Sequence, residues 1–182
     1  MSFSAKKLTL MGILIALAIA LKLPIISVPN VEFFTFIVFS SGCLLGVIGG
    51  AMLGVISMSI YTSMITPYGL PPLPIAFAQI LSMGFIGFAG GLAFKSNVIA
   101  RNRNSCFRSF STFLIMGISG LALTLIYDLL TNLATAFVIG QFIPVMVAAI
   151  PFSVIHILSN VVIFVVLAPL LLKISLIQHV RV

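Results

Sequence analysis

The chain has 182 residues, 62% of them hydrophobic and 6% charged, with a net charge of +7 and a mean hydropathy of +1.36. A soluble domain carries about 25% charged residues, so this chain cannot cover a water-facing surface, and no stretch is long and polar enough for a soluble catalytic domain. Repeated apolar runs of spanning length point to one domain, an all-α integral membrane protein in the lipid bilayer rather than a β-barrel, and the same composition argues against a nucleic-acid partner.

Six transmembrane helices fit the sequence in chain order. Helix 1 covers 8–23 and stops at Pro24; its basic start resembles a signal sequence, but no Ala-x-Ala-like site follows, so it reads as a retained span. Helix 2 covers 31–46 and helix 3 covers 49–65. Both are short against a span of about 20 residues, and Gly46, Gly49 and Gly50 read either as a tight turn or as the middle of one bent helix. Helix 4 covers 73–94, helix 5 covers 110–136 and helix 6 covers 143–173. Lys6, Lys7, Lys95, Arg101, Arg103, Arg108, Lys173 and Arg181 then share one face and Lys22 alone lies toward the other. That asymmetry sets both termini in the cytoplasm. Tyr61, Tyr68 and Tyr127, the only tyrosines in a chain without tryptophan, cluster toward the outer side.

Glu32 and Asp128 are the only acidic residues, and both lie in long apolar stretches. A charge costs about 3 kcal/mol or more at the bilayer centre, so each is a functional candidate. Rise per residue places Asp128 near the outer boundary, with Asn132 one turn beyond on the same face and Tyr127 adjacent. Asn30 and Glu32 open helix 2 at the outer side, Gln79 lies about two turns into helix 4, and His156 and Asn160 lie nearer the middle of helix 6. Polar groups thus gather in the outer half above an apolar inner half, the pattern of a pocket with a closed floor. Structural readings compete: Asn30 as the cap and Glu32 as the first-turn acid of helix 2, Asp128 as the partner of Lys22, and Gln79, His156 and Asn160 as interhelical hydrogen-bonders.

Motifs narrow the chemistry further. No GxxxxGK[ST] loop, HExxH or GxSxG is present, and His156 has no carboxylate or cysteine near it in sequence, a poor metal or catalytic site. Cys43 and Cys106 have no metal or disulfide spacing. No cofactor is indicated. Gly42, Gly46, Gly50 and Gly54 recur every fourth residue, Gly84, Gly87, Gly90 and Gly91 line helix 4, and Ala16 and Ala20 form a small-xxx-small step in helix 1; such rows let helices approach closely.

The size, the six helices, Ala16-x-x-x-Ala20, the stretch PNVEFFTFIVFSSGCLLGVIGGAMLGVISMSIYTSMITPYGLPPLPIAFAQILSMGFIGFAGGL and the run Tyr127-Asp128-Leu-Leu-Thr131-Asn132 together resemble the substrate-binding S component of an energy-coupling factor (ECF) transporter. The resemblance implies a non-enzymatic subunit that holds a vitamin or related micronutrient near the outer surface of the cell membrane. It implies docking through Ala16 and Ala20 on a transmembrane coupling subunit driven by two ATPase subunits. Asn30, Glu32, Tyr68, Gln79, Asp128 and Asn132 become pocket residues by that resemblance, joined by Tyr127 and His156 from the polar cluster. The short helix 1–2 loop and the absence of tryptophan leave corrinoid, riboflavin and other vitamins open, with a slight lean to a corrinoid-like ligand. A stand-alone carrier driven by a proton through Asp128 or Glu32 is the alternative, which the apolar inner half disfavours; a small intramembrane enzyme ranks third.

Overall fold

The computed structural model describes residues 4–25, 27–66, 69–96 and 106–179, and among them every regular element is helical. Six helices follow in order: α1 (Ala5–Lys22), α2 (Phe34–Leu45), α3 (Val47–Ile60), α4 (Leu73–Lys95), α5 (Cys106–Ile139) and α6 (Phe142–His179). A 3₁₀ turn (Leu23–Ile25) extends α1, and a π-helical turn (Tyr61–Ile65) extends α3. Five of these helical stretches are long and apolar enough to cross a membrane. The exception is α2: its 12 residues rise about 18 Å against a hydrocarbon core of about 30 Å. Tyr68, Arg101, Arg103 and Arg181 lie outside the described residues.

Local chemistry explains the breaks. Ser4 caps α1 by accepting from the Lys7 backbone N–H. Gly46, at φ 84° and ψ 175°, takes a conformation essentially closed to residues with a Cβ, so the Gly46–Gly50 region is a turn between two helices rather than a bend in one. Gly140, at φ 77°, ends α5 in the left-handed conformation common just past a helix, and α6 starts two residues later. Pro72 precedes α4 and Pro74 sits in its first turn, where a missing N–H costs nothing.

Helices α2, α3 and α4 pack through their backbones. A Cβ on Gly50 would lie 2.4 Å from Gly42 Cα and 2.4 Å from the Gly87 carbonyl oxygen, and one on Gly90 would lie 1.9 Å from the Phe39 carbonyl oxygen. The glycine rows in the sequence are therefore contact surfaces. Phe34, Phe39, Leu53, Met58, Met83, Ile86, Met116 and Phe164 fill the core around them. Beside this block stands the α5–α6 hairpin, and α1 lies on the outside of the bundle, burying only Met11 and Ala18. Gly12, Ala16 and Ala20 are exposed along its outer face.

Several expected boundaries move, two of them at the polar residues. Helix 2 starts at Phe34, not 31, so Asn30 and Glu32 belong to the preceding loop. Phe33 is the N-cap and makes no side-chain capping bond, which removes Asn30 as the cap. Helix 5 runs to Ile139, eleven residues beyond Asp128, so the α5–α6 hairpin continues about 16 Å past the acid.

Candidate functional site

Four ionisable side chains from four elements meet at the end of the bundle away from the termini. Lys22 closes α1, Glu32 lies in the α1–α2 loop, Asp128 sits on α5 and His156 on α6. The Lys22 ammonium binds Glu32 Oε2 and lies 4.4 Å from the Tyr61 ring centroid and 5.2 Å from that of Phe34, within the range of cation–π attraction. Glu32 Oε1 accepts from the Thr35 hydroxyl at 3.0 Å and faces His156 Nε2 at 3.6 Å. His156 Nδ1 is 2.7 Å from Asp128 Oδ1; a carboxylate only accepts, so Nδ1 carries the proton. The expected Lys22–Asp128 pair is not formed: Lys22 takes Glu32, because the short loop folds Glu32 back over the end of α1.

Burial sets the electrostatics. Glu32 is 7% exposed. Burial alone would raise its pKa, but Lys22 and His156 hold the carboxyl well below the usual carboxylate range. Asp128 is 8% exposed, and its Oδ2 has no hydrogen-bond partner. One turn deeper, Thr124 and Asn160 are fully buried and their side-chain polar atoms are also unpartnered. Below them Gly120 packs on Phe164, and the core closes.

The remaining polar residues frame a cavity of about 480 Å³. Asn30 has a left-handed backbone, φ 60°, tolerated by asparagine. Its Nδ2 donates to the Phe152 carbonyl at 2.9 Å and its own carbonyl accepts from Ser159, clasping the loop to α6. Thr62 donates to Gln79 Oε1, joining α3's final turn to α4, and Asn132 Nδ2 donates to Ser153 Oγ, joining α5 to α6. Tyr127 meets the His156 ring edge-on, centroids 5.8 Å apart. Asn30, Glu32, Gln79, Tyr127, Asp128, Asn132 and His156 all line this one cavity; Tyr68 is outside the described residues.

Three lining features escape a reading of spacing alone. Lys22 is one, although its isolation on the far side of the topology was the available signal. The second is the pairing of His156 with carboxylates 28 and 124 residues away; adjacency in sequence carries no trace of it. The third is the partner of Tyr61: its outer position was legible, its ring under the Lys22 ammonium was not. Among the described residues no group of three or more His, Cys, Asp or Glu side chains is placed to hold a metal ion.

The geometry defines a helical, multi-pass membrane protein with a polar cavity at one end and a packed apolar core beneath it. The family model for the ECF transporter substrate-specific component matches residues 6–168, and the chain belongs to that family. It is thus a substrate-specific membrane subunit, of a kind that binds its substrate for transport rather than transforming it. No curated protein and no solved structure matches the chain.

Proposed function

We propose that this subunit captures a small vitamin-like micronutrient in the cavity lined by Asn30, Glu32, Gln79, Tyr127, Asp128, Asn132 and His156, and that Tyr68 takes part in binding it. It then docks through the Ala16–Ala20 face of α1 on a transmembrane coupling subunit powered by two ATPase subunits in the cell membrane. The observation that carries the reading is the convergence of seven sequence-separated polar or aromatic residues on one cavity above a closed apolar core. The exposed Gly12, Ala16 and Ala20 support the docking half, because small residues allow close helix approach where lipid removes the hydrophobic drive.

The test is mass spectrometry of small molecules extracted from the purified protein, paired with uptake assays in cells carrying or lacking the coupling subunit and ATPases. A single ligand enriched over a mock preparation, and uptake only with the full set, is the expected result. Ala16→Trp and Ala20→Trp should abolish uptake and leave ligand binding intact. Unchanged uptake refutes the docking face, and uptake without ATPases that collapses with the proton gradient refutes the whole assignment in favour of a carrier.

A further inference from the structure

We propose that the cavity selects a ligand bringing a cationic or N–H-rich group to Asp128 and rejects anions, a proposal that rests on the binding-subunit reading above. The argument begins with which charges are already spent. Among the described lining residues the ammonium of Lys22 pairs with Glu32, and His156 lies between Glu32 and Asp128. One ammonium against two carboxylates leaves −1 with a neutral imidazole and 0 with an imidazolium. In neither state does the site carry a positive charge to offer.

Lys22 is further removed from use by its surroundings. Glu32 neutralises it, and the rings of Tyr61 and Phe34 cover it. A ligand carboxylate or phosphate would have to displace Glu32, leaving that buried acid unpaired, or sit beside two like charges where water screens poorly. Either route costs more than the contact returns.

Asp128 presents the opposite case. Its Oδ1 receives His156, while Oδ2 is buried without a donor, so a ligand group meets it once the carboxylate turns toward the cavity that Asp128 lines. A buried acceptor in that condition carries an unrecovered desolvation cost, and a ligand N–H or ammonium recovers it with a charge-assisted hydrogen bond. Asn132 adds an acceptor: one of its two amide hydrogens goes to Ser153, and its carbonyl oxygen is a second acceptor at the cavity. Tyr127, against His156, supplies an aromatic wall, and such walls favour flat cations over anions.

Three probes of one shape decide the matter: benzamidinium, benzamide and benzoate, titrated calorimetrically into the full chain in nanodiscs. The expected order is benzamidinium first, by about tenfold over benzamide, with benzoate weakest. Asp128→Asn should remove the benzamidinium preference. The ligand series on the unmodified protein needs no variant to fold, so it decides even if Asp128→Asn does not express. Benzoate binding as tightly as benzamidinium, no benzamidinium binding at all, or an undiminished preference in a folded Asp128→Asn overturns the proposal. Failure here is separable from failure of the transport reading. An anionic co-purified ligand with ATPase-dependent uptake sinks only the ligand class, whereas the expected probe order without any uptake sinks only the transport role.

Discussion

Helices α2, α3 and α4 meet backbone to backbone through glycines, whereas α5 and α6 meet side chain to side chain through polar pairs. The buried polar side chains of the first region are mostly small hydroxyls, such as Ser41, Ser57 and Ser82, bonded to carbonyls of their own helices, and the block cannot move apart without opening a void. The second carries Asp128–His156, Asn132–Ser153 and two unpartnered groups, Thr124 and Asn160. A bilayer gives little hydrophobic drive between helices, so close van der Waals contact and hydrogen bonds hold a bundle together. This chain divides those two devices between its two regions, and the cavity lies where they face each other. The glycine block fixes Met58, Tyr61 and Gln79 on one wall, and the hairpin supplies the charged wall.

The comparison breaks most completely at Gly87. A Cβ there would lie 2.1 Å from the Gly50 carbonyl oxygen and 2.5 Å from its carbon, and backbone cannot step aside. Gly87→Leu should cost more than about 4 kcal/mol, the range reserved for exceptional damage, and be read as loss of a monodisperse folded protein in detergent. Gly12→Ala is the control: nothing lies within 4 Å of its Cβ. Removing a helix glycine should stabilise by up to about 1 kcal/mol, seen as a small rise in Tm.

The charged wall breaks by a different physics. Lys22→Met leaves buried Glu32 without its ammonium partner, at a cost of about 3 kcal/mol, and the double variant Lys22→Met with Glu32→Gln should recover a large part of it. Thermal unfolding of the four members of that cycle measures the coupling; additive losses would show that the pair contributes nothing. Acid supplies a gentler version. Glu32's folded-state pKa is depressed, so its contribution is present above the ordinary value near 4.5 and is lost as pH falls through that value toward the depressed one. Stability measured from pH 7 downward should therefore fall more steeply in wild type than in Glu32→Gln. Parallel curves would remove Glu32 from the account.

What the sequence disclosed follows the same division. The α4 span was legible almost to the residue, 73–94 against Leu73–Lys95, because prolines open it and a long apolar run fills it. The glycine rows were legible as contact surfaces because spacing of four residues is a local property. The gathering of Asn30, Glu32, Gln79, Tyr127, Asp128, Asn132 and His156 on one cavity was legible from depth and the family resemblance together, although depth alone set Asn160 beside His156 and Asn160 lies beneath the cavity. Partners were not legible. Of the competing structural readings, Lys22 with Asp128 gives way to Lys22 with Glu32, because which of two acids a lysine meets depends on how a Pro-containing loop turns. Asn30 as a cap gives way to Asn30 as a clasp on Phe152, from a left-handed backbone. The far end of α5 was read at 136, and the helix runs on through Phe137 and Val138 to Ile139, where Gly140 ends it.

The smallest effect sharpens the contrast from the other side. Thr124 is fully buried, and its hydroxyl has no hydrogen-bond partner. Replacing an unpaired hydroxyl by a methyl of similar shape removes a desolvation cost without opening a cavity. Thr124→Val should therefore leave stability unchanged or raise it by about 1 kcal/mol, measured as Tm in the same detergent. A stability loss of that size would instead mean that the hydroxyl has a partner in the membrane-embedded protein. The polar layer beneath Asp128 would then be a bonded extension of the hairpin's seam. Unchanged or raised stability marks Thr124 as a polar group the fold tolerates, and confines the hairpin's polar adhesion to the level of Asp128 and above.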